Sequence, residues 1–234
     1  DRTFPAADYI VLDDAFQYRK LKATGNILLM DYSRPVRKDC LLPFGRLRDL
    51  AERQDDADVI IVTKSPRQMD PNERVIYAHN MLGIDDYNPA TFEGTSRTGH
   101  SQKIYFTYIK YGLCEGVYKS TDPHYIYAKK TILVTGIARD LPLRRYLSDM
   151  YKIIRRFNFP DHHKYIWSDI NRIQASVRQN PTASVVTTEK DAQRLMDFNG
   201  MPQMLMERMF MVPIEMDFLS EEEKKSFKEY IVEL

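Results

Sequence analysis

The stretch "DVIIVTKSP" at residues 58–66 is an apolar run that ends in polar residues, and two earlier stretches have the same form. The polar residues that end the three runs are Asp13 and Asp14 in "DYIVLDDAF" (8–16), Asp31 in "GNILLMDYS" (25–33), and Thr63 and Lys64 in the first stretch. Continuous apolar runs are typical of strands buried on both faces of a parallel sheet. We therefore predict three such strands, whose carboxyl ends deliver polar residues to the edge where open α/β sheets bind ligands.

Helical patterns alternate with these runs. Residues 43–57 have the apolar spacing of a helix, and strand, turn and helix patterns follow one another at 129–154 and again at 183–195. Alternating strands and helices predict an α/β fold with right-handed crossover connections. Residues 103–118 alternate instead like a two-sided antiparallel strand or a hairpin.

Polar residues at the predicted helix starts supply candidate caps. Ser168, Thr188 and Ser220 each stand before a helical pattern, and side chains of this type satisfy the free N–H groups of a first turn. The stretch around residues 157–165 contains Pro160, which disfavours helix before it, and we predict it to be extended.

Composition excludes several classes of protein. The 234 residues are 43 % hydrophobic, which suffices for one large or two modest cores. Lys+Arg 34 against Asp+Glu 33 gives a net charge of +1, so no general attraction to nucleic acid is expected. Cys40 and Cys114 stand far apart without a partner motif, which favours a reducing, cytoplasmic setting. No apolar run is long enough to span a bilayer.

The first candidate site is the pair Asp13 and Asp14 after an apolar run. In nucleoside triphosphatases with a phosphate loop, a carboxylate at a strand end holds Mg²⁺ directly or through water. An ordinary strand that stops at a polar turn has the same appearance. Two arginines, Arg46 and Arg48, follow the turn "PFG" and could hold a phosphate, or they could be solvated residues at the start of a helix.

The second candidate is "FPDHHKY" at residues 159–165. Asp161 beside His162 and His163 suggests either a base with an orienting carboxylate or a set of metal ligands. Adjacent side chains of an extended segment point in opposite directions, so we expect only one histidine to serve a given site. A structural role is the alternative for at least one of them.

Two other stretches are interpreted as structural. "GTSRTGHS" at residues 94–101 nearly matches a phosphate loop, but His100 replaces the required Lys and no strand precedes it. The charged residues Glu189, Lys190 and Asp191 are expected to favour the helix dipole or to form surface ion pairs.

Taken together, six stretches resemble the tetraacyldisaccharide 4'-kinases, the lipid A 4'-kinase family. In chain order they are "VLDDAFQYRKL" (11–21), "LLPFGRLRD" (41–49), "ADVIIVTKSP" (57–66), "VTGIARDLPLRRYL" (134–147), "FPDHHKY" (159–165) and "VVTTEKDAQRL" (185–195). Individually several are weak, but their common order makes the resemblance specific.

The resemblance implies a fold and a reaction. It implies the remainder of a P-loop NTPase-like parallel-sheet domain at residues 1–98, followed at 99–234 by a β linker and a smaller α/β domain. It implies transfer of the γ-phosphoryl group of ATP, with Mg²⁺, to the 4'-hydroxyl of a lipid disaccharide 1-phosphate. The expected place is the cytoplasmic face of the bacterial inner membrane, as a peripheral protein that binds no nucleic acid.

The resemblance also assigns roles to residues. Asp13 and Asp14 would be the catalytic carboxylates on the Mg²⁺ side, with Gln17 beside the nucleotide site. Arg48 and Asp49 match an Arg-Glu pair of the family near the phosphates or the metal. His162 matches the histidine of an Asp-His motif.

This sequence departs from the family pattern at several positions. Ala15 stands where the family has Gly, Tyr18 where it has His, and Asp49 where it has Glu, a carboxylate one methylene longer. The family's glycine-rich phosphate loop and membrane-associating region would precede Asp13. Because the chain starts without Met and enters an apolar run within ten residues, we expect an N-terminal truncation and little activity from the chain alone.

Two alternatives stay open from the residues themselves. A metal-dependent phosphoesterase of the Asp-His-His class would use aspartates at strand ends and the literal "DHH" at residues 161–163. An inactive folded scaffold is the other. Metal bound at Asp-His-His would favour the first, and ATP dependence would favour the kinase.

Overall fold

The structure, a computed structural model, describes residues 9–18, 20, 22–137 and 139–234. Within them, the strands β1 to β10 are Ile27–Asp31, Val59–Thr63, Glu93–Thr95, Ser101–Tyr111, Glu115–Gly116, Lys130–Thr135, Lys152–Asn158, Ser184–Thr188, Met209–Val212 and Ile214–Phe218. The α-helices α1 to α6 are Pro71–Tyr77, Leu141–Ser148, Trp167–Gln179, Glu189–Met196, Gln203–Met206 and Glu221–Glu233. A π-helical turn, Ala78–Leu82, continues α1, and the 3-10 helices are Val36–Lys38, Ala51–Asp56 and Pro123–Tyr127.

The chain folds as two compact units. The first consists of Asp1–Ile109 and Met216–Leu234, and the second of Lys110–Glu215. This division differs from the predicted one, which separated residues 1–98 from 99–234. The reason is that most of β4 belongs to the sheet of the first unit, and that the C-terminal helix α6 belongs to the first unit as well.

The first unit is built on a sheet with strand order β1–β2–β4–β10, in which β3 also pairs with β4. β1, β2 and β4 are parallel, with Ile27 opposite Val59 and Val59 opposite Lys103. β2 lies between its two parallel neighbours, and its residues alternate between two apolar cores. Ile60 and Val62 pack in one core, Val59 and Ile61 in the other. Burial on both faces explains the continuous apolar run that predicted this strand.

The prediction of an antiparallel strand or a hairpin at residues 103–118 is confirmed only in part. β4 pairs in parallel with β2, and its antiparallel contact is with the short strand β3. The alternating pattern at its ends misled the sequence argument, whereas its middle, Ile104, Tyr105 and Phe106, is fully buried. A strand buried on both faces belongs inside a sheet.

The strand predicted at residues 8–16 is also wrong for the part that the structure describes, which begins at Tyr9. Residues 9–12 pair with no described strand, and their apolar side chains are exposed, Val11 by 90 %. An apolar run becomes a strand only when a neighbouring strand satisfies its backbone groups. Asp13 and Asp14 therefore lie in a turn and not at a strand tip.

The helix predicted over residues 43–57 is confined to the 3-10 helix Ala51–Asp56. Two backbone hydrogen bonds, from Leu42 N to Leu47 O and from Leu47 N to Cys40 O, close residues 40–47 into a loop. Leu50, the residue before the helix, has extended backbone angles. The helical pattern of the sequence therefore starts at residue 43, whereas the helix itself starts at Ala51.

Caps were predicted with more success. Thr188 accepts a hydrogen bond from Asp191 N, and Ser220 accepts one from Glu223 N, so both predicted N-caps are confirmed. Ser168 is not a cap, because α3 begins at Trp167 and Ser168 lies inside its first turn. Among the helices of the described residues, none is long and apolar enough to cross a membrane.

A buried ion pair holds α6 in the first unit. Glu223 is fully buried, accepts a hydrogen bond from Phe106 N at 3.0 Å and lies 3.3 Å from the guanidinium of Arg74 on α1. Burial raises the pKa of Glu223, and the neighbouring Arg74 opposes that rise. One carboxylate therefore joins α6, β4 and α1.

The second unit is a doubly wound sheet with strand order β5–β9–β8–β6–β7. β7, β6, β8 and β9 are parallel, and β5 is antiparallel to β9. Ile132 and Val134 of β6 pack in one core with α3, while Leu133 packs in another with α2. β7 follows β6 in the chain and lies on one side of it, whereas β8, the next strand, lies on the other side of β6. The connections therefore diverge between β6 and β8. The carboxyl ends of such strands form the ligand crevice in folds of this type.

The buried pair Arg74–Glu223 yields the first prediction. Replacing Arg74 by Met leaves a buried carboxylate without its cation, and we expect the first unit to lose about 3–5 kcal/mol of stability. Chemical denaturation, followed by the fluorescence of probes in that unit, measures the loss. The control is Lys225→Met, which breaks an exposed pair with Glu229 and should cost about 0.5 kcal/mol or less. Equal losses of stability from the two substitutions would show that the buried Arg74–Glu223 pair does not have this stabilising role.

Candidate active site

The first cluster of predicted site residues depends on the loop that precedes Arg48. Leu41 and Leu47 form an isolated β-bridge, and Gly45 N donates to Leu41 O. A Cβ atom at Gly45 would collide with the Cys40 carbonyl, so only glycine fits the closed loop. The loop thus delivers Arg48 at a fixed point of the backbone.

Arg48 binds the carboxylate of Asp14 with both of its terminal nitrogens. Nη2 lies 2.6 Å from Oδ1 and Nη1 lies 3.1 Å from Oδ2, the parallel geometry that suits a guanidinium and a carboxylate. The hydrogen bonds with Asp14 raise the pKa of Arg48. Both side chains are more than half exposed. The pair joins the acidic motif to "GRLRD" across 34 positions of sequence. Asp14 itself has a left-handed φ of 52°.

The carboxylates differ in their suitability for a metal ion. Both oxygens of Asp14 accept from Arg48, whereas the Asp13 carboxylate has no ionic or hydrogen-bonding partner within the described residues. Mg²⁺ in nucleotide sites uses one or two carboxylates together with phosphate oxygens and water. Asp13 therefore fits as a ligand, and Asp14 does not while Arg48 holds it. The described part of the chain contains no group of three acidic, His or Cys side chains able to hold a metal.

Arg53 contacts both predicted segments, the acidic one at Phe16 and the second one at Asp49. Its Nη2 lies 3.4 Å from the carbonyl of Phe16, and its guanidinium lies 5.6 Å from the Phe16 ring. Its Nε lies 3.5 Å from Asp49 Oδ2. Gln17 folds back so that its amide donates to the Asp14 carbonyl at 3.2 Å. Asp49 and Gln17 thus support the cluster in this structure.

Asp31 and Lys64 meet at the carboxyl edge of the first sheet, as the parallel strands predicted. Lys64 Nζ lies 2.8 Å from Asp31 Oδ2, and Ser33 donates to Oδ1 through both its backbone N and its hydroxyl. Partial burial raises the pKa of Asp31, but the hydrogen bonds from Lys64 and Ser33 outweigh burial and lower it to about 2. Lys64 has a left-handed φ of 58°, which is uncommon for a residue with a side chain.

The second cluster lies at the diverging strands of the second unit. Asp191 on α4 is fully buried, and its Oδ2 accepts from Gly136 N at 2.7 Å and from the Thr188 hydroxyl at 2.7 Å. Arg194 Nη1 lies 3.3 Å from Asp191 Oδ1. The interpretation of Asp191 as a dipole or surface residue was wrong, because it joins the ends of β6 and β8.

His162 lies beside this anchor and is exposed. Its Nδ1 is 3.2 Å from Arg194 Nη2, and its Nε2 is 3.7 Å from Asp161 Oδ2. Asp161 in turn pairs with Lys190, whose hydrogen bond lowers the pKa of Asp161. The segment is a turn and not extended, since His162 has φ 61° and its N donates to Asp161 Oδ1.

His163 has a separate, structural environment. Its Nε2 lies 2.8 Å from Asp169 Oδ2, and its ring stacks on Phe159 with centroids 4.5 Å apart. The two histidines therefore do not share one site, as predicted, although a turn and not an extended strand separates them. "GTSRTGHS" forms the β3–β4 hairpin and its flank, where Gly99 N donates to Ser96 O, so its structural interpretation is confirmed.

With this geometry established, comparisons with known proteins identify the family. A family model described as tetraacyldisaccharide-1-P 4'-kinase matches residues 2–233. The chain belongs to the tetraacyldisaccharide 4'-kinase family. Its resemblance to that family, drawn from six short motifs, is thereby confirmed.

Similar proteins include the tetraacyldisaccharide 4'-kinase of Parabacteroides distasonis, 35 % identical over 96 % of this chain and 58 % of that protein. The enzyme of the same name from Phocaeicola vulgatus is 32 % identical over 94 % of this chain and 58 % of its own length. A crystal structure of LpxK from Aquifex aeolicus in complex with ATP shares 20 % identity, covers 94 % of this chain and 56 % of that one, and superposes with a TM-score of 0.54. The fold class, α/β with a parallel-sheet core, is confirmed. The chain spans a little under three fifths of the length of these relatives.

Sequence reasoning missed three residues that organise the clusters. Arg53 was inside a predicted helix, Arg194 was not singled out, and Asp191 was interpreted as superficial. A signal for Asp191 was present, because Thr188 followed by Asp191 has the spacing of an N-cap with an acidic residue at the third helical position. Nothing in the sequence indicated that Arg194 would reach His162.

The Asp31–Lys64 contact yields a prediction for acid stability. The folded pKa of Asp31, about 2, is below its ordinary value of 3.8. The contact therefore stabilises the folded state above that ordinary value, and its contribution is lost as pH falls through about 4 to about 2. Urea unfolding at several pH values should show a steeper loss for the wild type than for Asp31→Asn. Lys64→Met should likewise make the stability fall less steeply with decreasing pH. If both variants lose stability as steeply as the wild type, the Asp31–Lys64 contact is not the cause.

Proposed function

We propose that this chain carries part of the active site of a kinase that transfers the γ-phosphoryl group of ATP to the 4'-hydroxyl of a tetraacyl disaccharide 1-phosphate, a step of lipid A biosynthesis. The observation that carries the proposal is the bidentate contact between Arg48 and Asp14. It brings together the two motifs, "VLDDAFQ" and "GRLRD", that the family resemblance assigns to the phosphoryl-transfer side. Family membership supports the same reaction.

The residues of the first cluster have distinct proposed roles. Asp13 is the carboxylate available for Mg²⁺, which when bound neutralises phosphate charge. Arg48 holds Asp14 at a fixed point and neutralises it, so that two adjacent carboxylates do not repel an incoming nucleotide. Asp49 and Gln17 position this arrangement through Arg53 and through the Asp14 carbonyl. The same guanidinium can exchange Asp14 for a phosphate, since a carboxylate and a phosphate each offer two oxygens to its two N–H groups.

His162 is proposed to act on the acceptor side of the reaction. Its ring is exposed and its Nδ1 is occupied by Arg194, which leaves Nε2 to contact a carboxylate base or the acceptor hydroxyl. Orientation of a base by a hydrogen-bond donor assists proton removal from the hydroxyl. His163 has no such freedom, because Asp169 and Phe159 fix it.

The lipid substrate suggests where the protein works. We propose peripheral attachment to the cytoplasmic face of the inner membrane, where a tetraacyl lipid is available. The exposed apolar side chains of Tyr9, Ile10, Val11 and Leu12 are candidates for contact with lipid or with another protein segment.

Geometry disfavours the Asp-His-His phosphoesterase. Asp161 faces Lys190, His162 faces Arg194 and His163 faces Asp169, so the three side chains do not converge on a common point. Two of the three partners are cations, and a cation repels a metal ion. We therefore do not retain that alternative.

A chimeric enzyme tests the proposed function. This chain replaces the matching part of the Parabacteroides distasonis kinase, and transfer of labelled phosphate from ATP to tetraacyldisaccharide 1-phosphate is measured. We expect ATP-dependent transfer, and we expect Asp13→Ala to lower turnover by about 10²-fold or more, because charge stabilisation during transfer is lost. Asp14→Ala should lower turnover as well, because Arg48 loses the partner that fixes its position.

The control for these substitutions is Asp149→Ala, which removes an exposed carboxylate outside both clusters and should leave turnover unchanged. A chimera that melts like its parent but transfers no phosphate would contradict the proposal. Near-normal rates in both aspartate variants would show that the acidic pair is only a polar turn.

A further inference from the structure

We propose that Arg194 is a positioning residue that fixes the tautomer and orientation of His162, so that Nε2 carries the ring proton and is the nitrogen presented to a ligand. The proposal has a structural part, the tautomer, which stands on the contacts of the second unit alone. Its catalytic part rests on the function proposed above.

Arg194 is itself held in place by a buried anchor. Asp191 is fully buried and its carboxylate is fixed by Gly136 N and by the Thr188 hydroxyl. Arg194 Nη1 lies 3.3 Å from the other oxygen of that carboxylate, and the Arg194 side chain is only 21 % exposed. A planar guanidinium tied at one nitrogen to a fixed carboxylate has little freedom to rotate. Its second terminal nitrogen therefore points in a defined direction.

That second nitrogen meets His162. The distance from Arg194 Nη2 to His162 Nδ1 is 3.2 Å. A guanidinium has five N–H donors and no acceptor, and it stays charged in proteins. Nδ1 must therefore offer its lone pair, which assigns the ring proton of the neutral imidazole to Nε2.

The backbone supports the same orientation. His162 has a left-handed φ of 61°, and its N donates to Asp161 Oδ1 at 2.9 Å in a local turn. Lys190 binds the same Asp161 oxygen at 2.9 Å, which holds the turn against the start of α4. The contact of Asp161 with Lys190 and the contact of the His162 ring with Arg194 thus lead to one helix. α4 carries the three residues that anchor the turn: Lys190, Asp191 and Arg194.

The consequence is a restriction on the chemistry of His162. With Nδ1 occupied by a cationic donor, the ring can donate a proton from Nε2 but cannot use Nδ1 as a base. A carboxylate or a hydroxyl oxygen is the group that such a donor recognises. His162 then orients its ligand and does not itself take the proton of the acceptor.

The tautomer can be measured directly on the 234-residue chain. Two-bond ¹H–¹⁵N correlation spectra of the imidazoles at pH 8, where an ordinary histidine is neutral, distinguish the Nδ1–H from the Nε2–H form. His162→Gln assigns the resonance. His79 and His124 are internal references, because each places Nδ1 within 2.9 Å of a carboxylate and should therefore show the opposite, Nδ1–H form.

We expect a single Nε2–H form for His162 in the wild type. In Arg194→Met the Nδ1–H form should appear beside it, while Arg194→Lys, which keeps a donor, should retain mainly Nε2–H. Arg178→Met, which removes an exposed arginine from α3, is the matched control and should change nothing. An Nδ1–H form in the wild type would overturn the proposal whether or not the Arg194 variants fold. So would identical spectra for folded Arg194→Met and wild type.

The catalytic part is tested in the chimeric kinase. Arg194→Met should lower the turnover number by about 10²-fold while changing the Michaelis constant for the lipid little, because orientation and not binding is lost. An increase in the Michaelis constant alone would overturn this part. If the chimera has no activity, the proposed function fails, but the spectra still decide the tautomer, so the two failures are distinguishable.

Discussion

Parallel pairing of buried strands is the constraint from which both units follow. In the first unit, β2 lies between β1 and β4 with all three strands in the same direction. In the second, β6 and β8 have the same relation to their neighbours. Because these strands run in the same direction, their carboxyl ends lie at one edge of each sheet. Polar residues that follow those ends, such as Asp31, Lys64 and Asp191, are therefore gathered without being close in sequence.

The two candidate clusters have one feature in common. In each, the guanidinium of an arginine holds an acidic or neutral acceptor in a fixed orientation. Arg48 holds Asp14, and Arg194 extends from buried Asp191 to His162. The first pair is exposed, so it contributes little to stability and its role is geometric. The second contact depends on the fully buried carboxylate of Asp191, so the fold itself fixes the geometry of Arg194. In both cases an arginine determines which atoms of the neighbouring residue remain available to a ligand.

Sequence alone predicted the parts of the molecule whose physical cause is local. The stretches at 27–31 and 59–63 are strands because each is an apolar run up to its last residue. Thr188 and Ser220 are caps because a hydroxyl before a helix satisfies its first turn. The failures come from tertiary contacts. Residues 9–12 find no partner strand among the residues that the structure describes, Ser168 lies inside α3 because that helix begins at Trp167, and β4 pairs in parallel with β2 despite its alternating ends.

The site residues themselves stay predictions. Motifs singled out Asp13, Asp14, Arg48 and His162, although Asp13 and Asp14 were expected at a strand tip and not in a turn. Arg53 and Arg194 could not be found, because their contacts are made only after folding. The left-handed turn at His162 likewise has no sequence signal, since neither Gly nor Asn occupies the position. Side-chain direction at an irregular turn is decided by its neighbours.

A double-mutant cycle on Asp14 and Arg48 in the chimeric kinase tests the central claim most directly, because it measures whether the two motifs act as one unit. The measured quantity is kcat/KM for phosphate transfer in Asp14→Ala, Arg48→Ala and the double variant. If the pair is one functional unit, the double variant should be no slower than the slower single variant, within about threefold. Losses that simply multiply would show that Asp14 and Arg48 act independently, and would contradict the account.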